Sequence, residues 1–182
     1  MGKKSDMRKV KLFIASSLDC YIAREDGGID WLFTDADYGY TKFYDSIDTI
    51  IVGRKSYDQS LTFDEYPYKG KKAYVFTRKK VRKKNNNNEQ DVEYIDTNIQ
   101  DFVTSLTQSS GKDIWLLGGG EIVSVLLNAG LVDEIILSIH PIILGRGIPL
   151  LRNIQKEINL KLENSLSFES GLTQLCYKVL KG

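Results

Sequence analysis

Cysteine is scarce: Cys20 and Cys176 are the only two in 182 residues, far apart and in neither a zinc nor a CxxC spacing. A disulfide framework and a metal site are therefore not expected, and both thiols read as reduced, buried and inert. Histidine is scarcer still, His140 alone, which leaves Cys20 with no histidine close in sequence to activate it as a nucleophile. Nor is there an excess of charge of one sign: 25 Lys and Arg stand against 24 Asp and Glu, a formal net charge of +1. Counterion-release binding wants a clear cationic excess, so no nucleic-acid partner is expected. No apolar run approaches the roughly 18 residues of a membrane span. No apolar core of signal-peptide length follows the basic, polar segment from Met1 to Lys11, so the expected setting is cytoplasmic, with no membrane contact. What is present is 42% hydrophobic and 27% charged residues, the composition of a globular chain. The length suits a single domain over residues 8–182 behind a disordered tail of residues 1–7.

After that tail, short β-rich runs alternate with helical patterns. Val10–Ala15, Thr49–Val52, Ala73–Thr77, Val92–Ile95, Ile114–Leu117 and Glu134–His140 read as strands. Asp35 to Asp48 carries Tyr40, Phe43, Tyr44 and Ile47 at helical spacing, and a short helix starts at Arg54. Ile99–Leu106 predicts a helix with Thr97 as its N-cap, and Glu121–Asn128 an apolar helix closed by Gly130. Leu160–Phe168 and Thr173–Leu180 flank Ser170–Gly171 as an antiparallel hairpin. This order predicts an α/β fold with a mainly parallel central sheet and a C-terminal antiparallel hairpin. The basic run from Arg78 to Lys84 leads into Asn85–Asn88, has acidic neighbours and lacks interleaved aromatics. It reads as a solvated loop.

Chemistry gathers at strand-to-helix junctions. At Leu117–Gly118–Gly119–Gly120–Glu121 a strand meets three glycines and a helix begins at once. Without Cβ atoms the backbone can approach a ligand, and free N–H groups face an anion such as a pyrophosphate. Val52–Gly53–Arg54–Lys55–Ser56 repeats the arrangement with two cations and a hydroxyl, and a third strand ends in Thr77–Arg78. In a parallel sheet ligands collect at the carboxyl ends of strands. Arg54, Lys55, Thr77, Arg78 and the glycines are thus expected to converge on one phosphate-rich ligand. A lone arginine at a strand end is more often simply solvated.

These residues resemble a family. Leu12–Phe13–Ile14–Ala15–Ser16–Ser17–Leu18–Asp19–Cys20–Tyr21–Ile22–Ala23, Asp30–Trp31–Leu32, Val52–Gly53–Arg54–Lys55–Ser56–Tyr57 and Leu117–Gly118–Gly119–Gly120 are similar, in order, to the dihydrofolate reductase superfamily. The nearer likeness is to the reductase domain of riboflavin biosynthesis, whose P-x-x-L-G-x-G segment resembles Pro141–Ile142–Ile143–Leu144–Gly145–Arg146–Gly147. The resemblance implies a three-layer α/β/α fold and NADPH as cofactor. It places Ala15 and Ile22 by the nicotinamide, and Gly53, Arg54, Lys55 and Ser56 at cofactor phosphates. Thr77 and Arg78 fall at the adenosine ribose, and Gly118, Gly119, Gly120, Glu121 and Ile122 around the pyrophosphate. Trp31, Phe33 and Tyr40 would wall a flat heterocyclic substrate, although core packing explains aromatics at this spacing equally well.

The chain also departs from that pattern. Cys20 replaces the glycine of the S-L-D-G motif. The acid that assists pteridine protonation falls near Ala36, and neither Asp35 nor Asp37 aligns without a one-residue shift; Asp37 is the candidate catalytic carboxylate. It would need a raised pKa to pass on a proton, and it equally suits a helix start. The phosphoribosyl-anchoring D-D-P-x-L segment is only faintly echoed by Asp58–Gln59–Ser60–Leu61. With no deaminase signature, the expectation is a stand-alone, homodimeric NADPH-dependent reductase with the Arg24–Gly28 loop as a lid. Its substrate would be a small heterocycle such as 5-amino-6-(5-phosphoribosylamino)uracil or a pteridine. A nucleotide-binding protein without catalysis is the alternative. The Ile139–Leu144 region and the C-terminal hairpin are the candidate dimer surfaces.

Overall fold

A computed structural model describes residues 7–63, 65–78 and 91–181. Most of the basic run, the Asn85–Asn88 stretch and residues 1–6 of the expected tail lie outside the described residues. Arg8 is held by side chains and backbone from distant parts of the chain. Its buried guanidinium pairs with Asp48 and donates to Thr49 Oγ1 at 2.6 Å.

The chain runs β1 (Val10–Ser17), β2 (Tyr21–Ala23), α1 (Tyr40–Ser46), β3 (Ile47–Gly53), α2 (Arg54–Ser60), β4 (Lys72–Phe76), β5 (Val92–Ile95), α3 (Ile99–Thr107), β6 (Asp113–Gly118), α4 (Gly120–Asn128), β7 (Glu134–His140), β8 (Ile148–Pro149), β9 (Leu160–Ser167) and β10 (Thr173–Val179). Eight strands form one sheet in the order β5-β4-β3-β6-β1-β7-β10-β9. The first six of these are parallel, while β10 runs antiparallel to both β7 and β9.

Strand alternation sorts the core into two layers. Leu12, Ile51, Ile114 and Leu116 point to one face and pack with Val103 of α3 and Val123, Leu126 and Leu127 of α4. Ile50, Val52 and Trp115 point to the other and meet Phe43 of α1 and Tyr57 of α2. Ile50, Ile51 and Val52 are all fully buried, as expected of a central parallel strand covered by helices on both faces. The expected α/β/α layering, parallel sheet and terminal hairpin are therefore present.

Two helix starts differ from expectation. Asn98, not Thr97, caps α3, its side-chain oxygen accepting the N–H groups of Gln100 and Asp101 at 2.8 and 3.2 Å. Helix α1 begins at Tyr40 rather than near Asp35, because Tyr38 and Gly39 take left-handed backbone angles, φ 48° and 80°. The small β2–β8 pair leaves no periodic signature in the sequence. Asp19 anchors this region, its carboxylate accepting from the Ser17 hydroxyl at 2.6 Å and from the N–H groups of Leu144 and Gly145 at 3.1 and 2.7 Å. The Ser17 hydroxyl is the chief cause of its lowered pKa.

Candidate active site

The carboxyl ends of β4, β3, β6, β1 and β7 lie side by side along one edge of the sheet. At β3 and β6 this edge is built from glycine backbone. Val52 is in register with Gly118, and a Cβ placed on Gly53 would lie 3.7 Å from the Gly118 carbonyl oxygen and 3.9 Å from Ile122 Cδ1. One on Gly119 would sit 3.1 Å from Ser56 Oγ. One on Gly120 would press within 2.7 Å of the Pro149 carbonyl oxygen. The peptide bond between Gly118 and Gly119 is cis. Gly53, Gly118, Gly119 and Gly120 thus come together as a cradle of bare backbone at the start of α4, with the side chains of Ser56 and Ile122 against it.

Arg54 and Arg78 are each engaged by a carboxylate. Arg54 donates to Asp58 at 2.7 Å and lies over the Tyr94 ring, 5.0 Å from its centroid. Arg78 pairs with Glu121. Lys55 is exposed on α2. Thr77 closes β4, its N–H donating to the Ile95 carbonyl at 3.0 Å. The candidate lid is tied down: Gln59 Nε2 donates to the Gly27 carbonyl at 2.6 Å, and Arg24 pairs with Asp30.

Beside this cradle, at the ends of β1 and β7, lies a cavity of about 320 Å³. Ala15, Phe33, Tyr40 and Asp37 all line it, with Phe13, Ser138, His140 and Leu172. Ala15 belongs to the strand between β6 and β7 and so joins cavity to cradle. Burial drives the Tyr40 phenol far above its ordinary pKa, and the hydroxyl stays protonated. Two candidates fall outside the lining. Trp31 is buried behind it, edge-on to His140 at 5.2 Å, and Ile22 belongs to β2.

Asp37 departs from the chemistry expected of it. Its carboxylate accepts the Thr41 hydroxyl, the Thr41 N–H at 2.9 Å and the Gly39 N–H at 3.1 Å. The Thr41 side chain, followed by these backbone donors, lowers its pKa. A general acid needs the opposite shift. Asp37 serves the start of α1 as an anion. Cys20, expected to be buried, is exposed and has φ 65°.

His140 went unrecognised in the sequence as a site residue. The Phe33 N–H donates to its Nε2 at 3.2 Å, so Nε2 is the bare nitrogen and Nδ1, 3.4 Å from the Ser138 carbonyl, holds the hydrogen. Burial lowers its pKa and keeps the ring neutral. Its place at the carboxyl end of a parallel strand was the one available signal.

Residues 8–174 match the family model of the RibD C-terminal domain. YyaP, an uncharacterized protein of Bacillus subtilis (strain 168), is 41% identical over 189 residues, covering 97% of this chain and 98% of its own. The chain belongs to the RibD C-terminal domain family. Among solved structures, a Shewanella sp. PV-4 protein named for riboflavin biosynthesis superposes with a TM-score of 0.84 at 26% identity, over 95% of this chain and 99% of that one. Dihydrofolate reductase from Enterococcus faecalis, solved with NADP(H), shares the fold at a TM-score of 0.69 and 14% identity, over 95% and 97%. Membership in the RibD C-terminal domain family thus comes with a dihydrofolate reductase-like fold. Among the described residues no helix is long and apolar enough to cross a membrane.

Proposed function

We propose that this chain is an NADPH-dependent reductase of the riboflavin-pathway type, acting on a flat nitrogen heterocycle. One observation carries the reading: a glycine cradle at β3 and β6 abuts an aromatic cavity at β1 and β7, with Ala15 between them. A dinucleotide fits the cradle, because Cβ atoms at Gly53 and Gly119 would fill it. When bound, NADPH supplies the hydride. The backbone of Gly118 to Gly120 and the N–H groups opening α4 would receive its pyrophosphate. Arg78 would face the ribose end, and Ala15 the nicotinamide. Phe33 and Tyr40 would hold the substrate ring by stacking, and the apolar walls would exclude water. The substrate type suggested by the family is a phosphoribosylated pyrimidine such as 5-amino-6-(5-phosphoribosylamino)uracil; a pteridine is the competing substrate.

The test is a thermal shift with NADPH and with NADH, followed by NADPH oxidation against a pyrimidine and pteridine panel. Ligand at about 100 times its Kd stabilises by roughly 2.7 kcal/mol. Binding with turnover of a pyrimidine supports the reading. Turnover of a pteridine alone moves the activity to the dihydrofolate reductase type. Binding without turnover of any member marks a nucleotide-binding protein without catalysis, and absence of binding ends the cofactor assignment.

A further inference from the structure

Between β2 and α1 the chain runs from residue 24 to residue 39 without a helix or strand, yet this stretch supplies Leu32, Phe33, Ala36, Asp37 and Tyr38 to the cavity. Two side chains of the sheet hold its backbone. Gln174 of β10 donates from Nε2 to the Tyr38 carbonyl at 3.1 Å, and His140 of β7 accepts the Phe33 N–H on Nε2 at 3.2 Å. The imidazole also meets two rings of the same stretch, Trp31 edge-on at 5.2 Å and Phe33 at 4.9 Å. An aliphatic side chain would pack against those rings as well. It would not take the amide hydrogen, which at this half-buried place then loses its partner.

We propose, resting on the reductase reading above, that His140 is a positioning residue for the substrate: its bare Nε2 fixes the Phe33 backbone, and with it the ring that stacks on the heterocycle. Protonation undoes this hold. The Nε2 of an imidazolium carries a hydrogen, so it would face the Phe33 N–H donor to donor. His140 is also the lining group that changes charge close to neutrality. Asp37 stays anionic, because the Thr41 side chain and then backbone donors lower its pKa. Burial keeps the Tyr40 phenol protonated, and the Tyr38 phenol donates to Asp35 at 2.8 Å. Ser17, beside His140 in register on β1, and Leu172, from the turn before β10, do not ionise. Burial places the folded imidazole's pKa below 6.5. Ring binding should thus be full above pH 6.5 and weaken below it, as the folded imidazole takes up its proton.

Two variants of the full chain test this. His140→Gln keeps an acceptor and does not titrate, whereas His140→Leu keeps apolar packing and removes the acceptor. Calorimetry gives the Kd of NADP+, the oxidised cofactor, for each protein. It then gives the Kd of 5-amino-6-(5-phosphoribosylamino)uracil and of pterin for the NADP+-saturated protein, from pH 8 to pH 5. The expected result at pH 8 is one cofactor Kd for all three proteins and ring affinity at least about tenfold weaker in His140→Leu, with His140→Gln close to the parent. Towards pH 5 the parent loses ring affinity relative to His140→Gln, a comparison that needs no leucine variant. His140 is the chain's one histidine, so NMR of the nitrogen-labelled imidazole should show a single ring with bare Nε2 at pH 8. Undiminished ring affinity in His140→Leu, a parent that tracks His140→Gln at every pH, or a hydrogen on Nε2 of the neutral ring overturns the proposal and leaves the reductase reading standing. A parent that binds the cofactor but neither ring also overturns it. A parent that binds neither cofactor nor ring defeats the reductase reading and this proposal together.

Discussion

Arg78 at the end of β4 and Glu121 in the first turn of α4 form an ion pair across the mouth of the glycine cradle. Both side chains are largely exposed, 85% and 65%, so the pair is weak and easily exchanged for another partner. A carboxylate at this place can accept from a ribose 2′-hydroxyl, whereas a guanidinium favours a 2′-phosphate. The expected outcome is that Glu121→Gln raises the preference for NADPH over NADH by up to about fivefold, the scale of an exposed ion pair. Arg78→Ala should lower it. Kd values for both cofactors, measured by titration, decide the matter; equal ratios in all three proteins would remove Arg78 and Glu121 from cofactor choice.

Two glycine substitutions separate binding from stability. At Gly53 φ is −75° and the nearest atoms to an added Cβ are 3.7–3.9 Å away, ordinary contact, so Gly53→Ala should fold normally. Its methyl nevertheless enters the cradle, and NADPH affinity is expected to drop at least about tenfold. Gly120→Ala meets the backbone oxygens of Pro149 and Leu150 at 2.7 and 3.0 Å. It should cost about 1–3 kcal/mol of stability. Denaturant melts alongside ligand titration distinguish the two effects.

Cys20 occupies a left-handed position, φ 65°, where a side chain costs about 1–2 kcal/mol. Replacing it by glycine relieves that cost and returns part of it through a freer unfolded chain. Cys20→Gly is expected to stabilise by about 0.5–1 kcal/mol. The readout is a higher denaturant midpoint at unchanged slope, and a lower midpoint would contradict it.

Burial keeps the His140 pKa below its ordinary value of 6.5. As pH falls below 6.5 the unfolded chain takes up the proton first and the folded chain resists it. Stability should therefore be full above pH 6.5, decline below it, and level off once the folded imidazole also protonates. The difference in unfolding free energy between the parent and His140→Gln, followed from pH 8 to pH 5, isolates this contribution from that of the carboxylates. A pH-independent difference would show that His140 titrates alike in both states.

The sheet was legible because its strands are local apolar runs, and Ile50, Ile51 and Val52 betray a strand buried on both faces. The cradle was legible because three glycines stand between a strand and a helix start and a fourth ends a neighbouring strand. Of the residues named for cofactor and substrate, Ala15 and Gly53 lie toward the ends of β1 and β3, and Phe33 lines the cavity from the loop before α1. Long-range partners escaped. His140 is defined by Phe33 and Trp31, residues far from it in the chain. Its flanking strand residues say nothing of them. For Asp37 the sequence left both an acid and a helix-start role open, and its bonds to Thr41 and Gly39 agree with the second. The pair β2 and β8 depends on contacts such as Cys20 with Leu150, whose N–H donates to the Cys20 carbonyl at 3.0 Å.

The two halves of the site are made of different material, and this sets how each can change. The cradle is backbone, and almost any substitution at Gly119 or Gly120 adds atoms where neighbours already stand. The cavity is walled by side chains such as Phe33, Ala36, Tyr38 and Leu172 on loops and a turn, each of which a single mutation can enlarge, shrink or recharge. Point mutation therefore has a rigid end to inherit and a soft end to reshape. A chain built this way can acquire a new ring to work on without rebuilding the place where its cofactor would lie.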